Sequence, residues 1–313
     1  MASDLTNDSE VNERLRTYIH HPRAKEKVFS LRFFLFTLFV HLVGWGALIF
    51  DFRWKWLLAA TVFALFCDYA MGIFHHMYLT HRSFECRPWL RNLGVFFGTL
   101  TWRGPFAAPL RYVASHLIHH EYSDRDPDPH SPIHGYFHAF LGWFWRMPPV
   151  LMDRKLYLPY VPKDLRDDPF LNWLDKNVFT LQLYRSVVVI GVAGLWGASF
   201  AGFDTVTALR AFAYLVAVKT IIALYVANAV DVINHAWGYR NFETADRSRN
   251  SFFMAAVHLG GAISWHNNHH AHPDYFTVKT RPWEFDAHYR FLKFCEIFGW
   301  TWEIRKLDET HAH

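Results

Sequence analysis

The stretch Trp265-His266-Asn267-Asn268-His269-His270 places three histidines in an H-x-x-H-H pattern. The same spacing occurs earlier in the chain as His116, His119 and His120. On a helix, steps of three and four residues return to one side, so the rings of each trio project together. Imidazole is mostly neutral near pH 7 and is the commonest metal-binding side chain. Two such trios predict a metal site built from both halves of the chain.

The composition indicates a membrane protein. Hydrophobic residues make up 52% of the 313 residues, and they are concentrated in long blocks rather than spread as a soluble core requires. The formal net charge of +4 suits a face on anionic lipid. No dense Lys/Arg stripe with interleaved aromatics occurs, so nucleic acid is not expected as a partner.

The cysteines and the N-terminal segment limit the possible cofactors and location. Cys67, Cys86 and Cys295 are far apart, so they predict neither a four-thiolate iron–sulfur cluster nor a disulfide framework. A reduced, cytoplasm-facing environment follows. The first thirty residues are polar and charged, so no cleaved signal peptide is expected.

Four apolar blocks approach the roughly 20 residues that a membrane-spanning helix needs. Their expected bounds are about 31–50, 56–76, 186–203 and 205–230. Most Lys and Arg lie in the segments outside these blocks, so the positive-inside rule assigns both termini and the histidine-rich segments to the cytoplasm. We therefore predict an all-α integral membrane protein with four transmembrane helices in two hairpins and a cytoplasmic histidine-rich helical cap housing a di-metal site.

The expected organisation has three parts. A cytoplasmic N-terminal segment covers 1–30, a membrane domain 31–273, and a cytoplasmic C-terminal segment 274–313. The cap comprises 77–178 and 235–273. Within it, Leu93–Leu100 is too short to span and is expected at the interface, and 151–176 is expected to be a solvated connection.

Further histidines lie at the ends of apolar blocks. His76 and His81 follow the second block in an H-x-x-x-x-H pattern. A five-residue step leaves them about 140° apart on an α-helix, so they share a metal region only if the helix frays or ends between them. Alone, they fit an interfacial pair equally well. His235 ends the fourth block, where a polar ring is costly without a role, and its position beside the other clusters predicts a ligand.

Polar neighbours of these histidines are candidates for orienting the rings or contacting substrate. Carboxylates beside histidine ligands fix ring orientation and tautomer, which favours Asp124 for such a role, whereas Asp126 and Asp128 fit a solvated acidic loop equally well. The remaining candidates for orienting or substrate contacts are Trp265, Asn267, Asn268 and Lys219.

Taken together, the order H-x-x-x-x-H, H-x-x-H-H, N-H-x-W-G and H-N-N-H-H resembles the membrane-bound fatty acid desaturase family. The likeness is to its acyl-CoA Δ9 (stearoyl-CoA desaturase-like) branch and covers about residues 31–273. It implies two iron ions, O2 as co-substrate and a cis double bond introduced into a fatty acyl chain. The implied carrier is CoA, with acyl-carrier protein or an intact lipid as alternatives. The implied electron source is an external donor such as ferredoxin or cytochrome b5 with its reductase.

The resemblance also implies nine iron ligands, carried over residue by residue. They are His76, His81, His116, His119, His120, His235, His266, His269 and His270. Asp231 is a further candidate because relatives have Asn at this position, four residues before the histidine of the N-H-x-W-G motif. Two other departures are Ala262-Ile263-Ser264, where relatives have G-E-G, and Lys219, where relatives often have Arg.

These departures keep other reactions open. A related di-iron hydroxylase or acetylenase is the alternative among enzymes. The alternative outside enzymes is a membrane metal transporter, which would place polar ligands near the middle of its spans. The candidate ligands here lie at the ends of the apolar blocks or between them, which favours the oxidase.

Overall fold

Four long apolar helices dominate the computed structural model, which describes residues 5–101 and 104–307. These spanning helices are Leu31–Phe50, Trp54–Thr80, Pro169–Gly197 and Thr205–Ile233. The first has the bounds expected from its apolar block, and the fourth begins at the expected residue. Many of their outward side chains are large and apolar, for example Leu42 at 66% exposure, as lipid contact requires.

The third spanning helix differs from its prediction. It begins at Pro169, within the expected connection, and ends at Gly197 instead of continuing to 203. The Asp168 side chain accepts a hydrogen bond from the Leu171 amide, and a proline at the first position is pre-set for a helix start. Its first turns extend into the expected connection, where the buried Asp175 accepts hydrogen bonds from the Leu110 amide, Arg154 and Tyr157.

The fourth spanning helix is central and packs against each of the other three. Its contact with the first helix is close: a Cβ added at Gly44 would lie 2.5 Å from Ile221 Cδ1. The pairing of the spans into two hairpins, the boundaries at 30 and 273 and the cytoplasmic side of the cap stay predictions.

The cap consists of short helices and turns. Outside the four spanning helices, the described chain has the α-helices Ser9–Thr17, Pro88–Thr99, Pro109–Tyr122, Tyr136–Phe140, Pro149–Met152, Arg154–Tyr157, Lys163–Asp167, Phe252–His258, His266–Ala271 and Ala287–Ile297. Single 3-10 turns occur at Tyr18–His20, Gly104–Ala107, Pro132–His134, Gly142–Phe144 and Leu158–Tyr160. The largest apolar core surrounds the 109–122 helix and includes Leu110, Val113 and Leu117.

Two small antiparallel strand pairs are exceptions to the all-α expectation. Val28–Phe29 pairs with Arg146–Met147, and Glu85–Cys86 pairs with Thr301–Trp302. The second pair joins the end of the described chain to the segment just after the second spanning helix. Residues beyond 273 therefore pack directly on the cap.

Candidate metal centre

The second spanning helix brings the rings of His76 and His81 together through a change in its helical turn. Its last ten residues, Met71–Thr80, form a π-helix, in which each amide bonds to the carbonyl five residues earlier. The His81 amide donates to the His76 carbonyl at 3.2 Å, and the two ring centroids are 4.9 Å apart. The wider π turn brings the two rings together, and the helix ends at Thr80, between them, as the spacing required.

The two H-x-x-H-H trios lie on the 109–122 and 266–271 helices. In each trio, the two histidines that are four residues apart belong to one group of histidines, and the third histidine belongs to a second group. His116 and His120 join the first group with His269 from the other helix, while His119 joins the second group with His266 and His270. Each trio faces one side of its helix, as predicted, but contributes to two adjacent groups.

The five-histidine group consists of His76, His81, His116, His120 and His269. Their Nε2 atoms form a continuous chain of close contacts. His81 and His116 are 3.1 Å apart, as are His116 and His120, while His269 lies 3.2 Å from His120 and 3.0 Å from His76. The nitrogens therefore converge on one small volume.

The four-histidine group consists of His119, His235, His266 and His270. His235 follows the fourth spanning helix, and its Nε2 lies 3.0 Å from that of His266. The two groups adjoin, since the rings of His120 and His270 stack with centroids 4.5 Å apart.

Most of these rings are held neutral by their surroundings. Burial and the neighbouring histidines lower the pKa of His116, His120, His266 and His269 well below 6.5. The same causes lower the pKa of His81 to about 3. A neutral ring keeps a free lone pair, which metal binding requires.

The positions of the nitrogens fit metal ions. Nitrogens about 2.1 Å from one ion and at right angles to each other are roughly 3.0 Å apart, which is close to the contacts of the five-histidine group. Hydrogen bonds alone cannot explain them well, because His116 Nε2 faces two other Nε2 atoms yet carries only one proton or one lone pair. In the other group, the buried Nε2 of His270 has no hydrogen-bond partner among the described residues.

Three carboxylates hold the rings of the four-histidine group. Asp128 lies 2.9 Å from His119 Nδ1, Asp124 lies 2.7 Å from His235 Nδ1, and Asp246 lies 2.7 Å from His270 Nδ1. Each carboxylate can accept an Nδ1 proton, which would leave the Nε2 lone pair of that ring available to a metal ion. Burial alone would lower the pKa of His119, but the Asp128 carboxylate raises it to about 9.

Two of these carboxylates were not assigned from the sequence. The acidic run after His120 did contain Asp128, which was equally compatible with a solvated loop. Asp246 lies in a polar loop 24 residues before His270, without any motif linking the two. The third, Asp124, is placed where a ring-orienting residue was expected.

The other predicted residues lie around the two groups. Asn267 accepts hydrogen bonds from the amides of Asn241 and Phe242, and Asn268 donates to the Val278 carbonyl and to Glu284. They fix the 266–271 helix and do not contact the rings directly. Trp265 is fully buried and donates to the Phe285 carbonyl.

Asp231 and Lys219 have different surroundings. Asp231 lines a cavity together with His76, His116, His119 and His266, and its Oδ1 lies 3.7 Å from His130 Nδ1. Lys219 is fully buried within the fourth spanning helix, where its Nζ donates to the Leu100 carbonyl.

The histidines left out of the ligand prediction do not enter the two groups. They are His75, His130, His134, His138, His258 and His272. His130 forms a smaller cluster with Asp128 and His119, in which its ring lies 4.3 Å from that of His119.

The cavity beside both groups has mixed walls. Met71, Phe106 and Trp143 supply apolar surface, and His76, His116, His119 and His266 supply ring nitrogens.

Comparison with known proteins identifies the family. The sequence model described as "Fatty acid desaturase" matches residues 53–293. The chain is 28% identical over 238 residues to the sn-1 stearoyl-lipid 9-desaturase of Anabaena variabilis, covering 75% of this chain and 78% of the relative. It is 27% identical over 283 residues to the enzyme of the same name from Synechocystis sp., covering 88% and 80%. Identity to the acyl-CoA C20 Delta5-desaturase of Anemone leveillei is 27% over 267 residues, covering 83% and 77%. With four apolar helices and a histidine-rich potential metal site, this chain belongs to the fatty acid desaturase family and is a divergent member of it.

Proposed function

We propose that this protein is an O2-dependent di-iron desaturase that introduces a cis double bond into a fatty acyl chain within a membrane. The observation that carries the proposal is the convergence of nine imidazoles into two adjacent groups beside a partly apolar cavity. Histidine suits iron, but it also suits zinc and copper, so the choice of iron rests on the family.

The five-histidine and four-histidine groups would each hold one iron ion. Bound iron supplies the oxidant for removing hydrogen from an unactivated methylene, which no side chain provides. Asp128, Asp124 and Asp246 keep the Nδ1 proton on their histidines, so that Nε2 presents its lone pair to the metal. Met71, Phe106 and Trp143 exclude water and hold the acyl chain against the histidines.

The names of the relatives support the proposed substrate, and the charge pattern supports the side from which the electron donor approaches. The relatives act on lipid-linked and CoA-linked acyl chains, so an acyl chain on either carrier is proposed here. Electrons come from a separate donor such as ferredoxin or cytochrome b5 with its reductase. This donor approaches the cap from the cytoplasm, on the side where Lys and Arg concentrate.

Lipid profiling in a desaturase-deficient host tests the proposal. We expect the full chain to produce cis-monounsaturated chains, because both groups of ligands are complete. His269→Ala removes the ring that contacts both His76 and His120, so no unsaturated product should form. His134→Ala is the matched control, since this ring lies outside both groups.

The mass of the product separates the reactions. Desaturation removes two hydrogens, whereas hydroxylation adds one oxygen atom and would reject the proposal. Purified protein should hold two tightly bound irons per chain, and freely exchanging metal would favour the transporter.

A further inference from the structure

A contact between Asp68 and His258 lies beside the nine histidines but is not part of either histidine group. The Asp68 carboxylate is on the second spanning helix, and His258 ends the short 252–258 helix of the cap. His258 Nδ1 lies 3.1 Å from the carboxylate, and its Nε2 lies 3.3 Å from the Val226 carbonyl. Both ring nitrogens therefore face oxygen atoms.

This contact forms the wall between two cavities. On the inner side, Asp68 and His258 line the cavity that holds His76, Met71 and Ile263. On the outer side, the same two residues line a cleft at the surface of the molecule. Among the residues that the structure describes, Asp68 and His258 are the two shared by the linings of both cavities.

The outer cleft is largely apolar, and one side of it is formed by the second spanning helix. Leu65, Phe66 and Tyr69 form one side of it, and Ala256 and Leu259 form the other. Phe66 and Leu259 are 51% and 53% exposed. Asp68 precedes His76 by eight residues on the same helix, a rise of about 12 Å, so this side of the cleft belongs to the apolar span Trp54–Thr80.

We propose that the outer cleft is a lateral binding site for the acyl chain of a membrane lipid, and that the Asp68–His258 contact is the closed gate between this cleft and the inner cavity. The proposal rests on the proposed function and deepens it, because it selects a lipid-linked acyl chain as substrate. A chain that already lies in the bilayer reaches the histidines sideways through this wall without passing through water.

Opening of this contact requires movement of the two side chains rather than of the backbone. His288 Nε2 donates to the His258 carbonyl at 3.0 Å, which holds the backbone at the end of the 252–258 helix. The imidazole and the carboxylate are then the groups that must separate. Removing the charge of Asp68 should therefore ease opening without displacing the helix.

Photo-crosslinking tests the route without requiring turnover. The full chain is reconstituted in phosphatidylcholine vesicles containing a phosphatidylcholine with a diazirine in the middle of one acyl chain. After illumination, peptide mass spectrometry measures the adduct on Met71, which lies inside and is 2% exposed. Metal content is measured on the same samples to confirm that the histidine groups are intact.

The variants are expected to change the Met71 adduct in opposite directions. Ala256→Trp fills the cleft and should lower the adduct at least tenfold, and Asp68→Asn should raise it several-fold. Val62→Trp is the matched control, because Val62 is 60% exposed on the same spanning helix but does not line the cleft. This control should label Met71 as the natural chain does.

Two results would overturn the proposal: absence of a Met71 adduct in the natural chain, or an undiminished adduct in Ala256→Trp. If Ala256→Trp loses its metal, Leu259→Trp fills the same cleft and decides by the same measurement. Labelling is independent of catalysis, so a chain that labels Met71 but makes no unsaturated product contradicts the proposed function alone. A chain that desaturates CoA-linked substrate while phospholipid never labels Met71 contradicts the lateral route alone.

Discussion

Replacing Asp246 by Asn should weaken metal binding by the four-histidine group through the tautomer of His270. Asp246 Oδ1 accepts hydrogen bonds from the Thr244 hydroxyl and from the amide and hydroxyl of Ser248, while Oδ2 faces His270 Nδ1. An Asn side chain would keep its oxygen at the position of Oδ1, where three donors meet, and would turn its NH2 group toward His270. The ring must then carry its proton on Nε2, the nitrogen that the metal needs.

The expected loss follows from the role of such carboxylates. Removing an outer partner of a metal-bound histidine typically lowers metal affinity 10–100-fold, or about 1.4–2.7 kcal/mol. A competition titration of the full chain against a chromophoric chelator should show that the affinity for one of the two metal ions falls by this factor. The other metal should be unaffected, because Asp246 does not contact the five-histidine group.

Glu243→Gln provides the control for this variant. It makes the same chemical change three residues earlier in the same loop, on a side chain that is 99% exposed, and should leave both affinities unchanged. Equal affinity of both metals for Asp246→Asn and the natural chain would refute the argument from the tautomer.

Three further outcomes concern stability, each measured by thermal unfolding of the purified chain. Gly98→Ala should destabilise by about 1–3 kcal/mol, because the new Cβ would lie 2.4 Å from His75 Nδ1, whereas Gly46→Ala meets no atom within 4 Å and should be nearly neutral. Asp175→Ala should lower the free energy of unfolding by roughly 3 kcal/mol, because Asp175 accepts hydrogen bonds from the Leu110 amide at the start of the 109–122 helix and from Arg154 and Tyr157. Asp167→Ala, at an exposed position, should change stability little. Equal effects of the two substitutions would contradict this role of Asp175. The metal-free chain should lose stability as the pH falls from 7 to 5.5. The reason is that histidines of the unfolded chain take up protons near pH 6.5, whereas the buried rings with lowered pKa do not. The free energy of unfolding should fall by up to about 1.4 kcal/mol per pH unit for each such ring. A stability that is flat over this range would show that the rings are not held neutral.

Apolar length and motif spacing carried much of the prediction. The first spanning helix matches its apolar block, because lipid-facing helices need about 20 apolar residues wherever they lie. The nine histidines followed from repeated spacing and the resemblance, and the structure brings them into two groups. Their role as iron ligands remains a prediction.

The remaining features depend on tertiary contacts that leave no local pattern. The π-helical turn before His81 is one example, since its residues also fit an ordinary α-helix and only the packing selects the wider turn. Asp246 is another, because its loop approaches His270 only after the cap has folded. The start of the third spanning helix was misplaced because buried polar residues near it, such as Asp175, are paired with neighbours distant in sequence.

The strand pair between Glu85–Cys86 and Thr301–Trp302 has a consequence for biosynthesis. The first histidines enter the membrane early in translation, but the 266–271 helix is fixed by Glu284, which follows it in the chain. Neither histidine group can be completed while this last part of the chain is still being synthesised. Iron should therefore enter only after translation, and a chain truncated before residue 284 should be inserted in the membrane yet remain free of tightly bound metal.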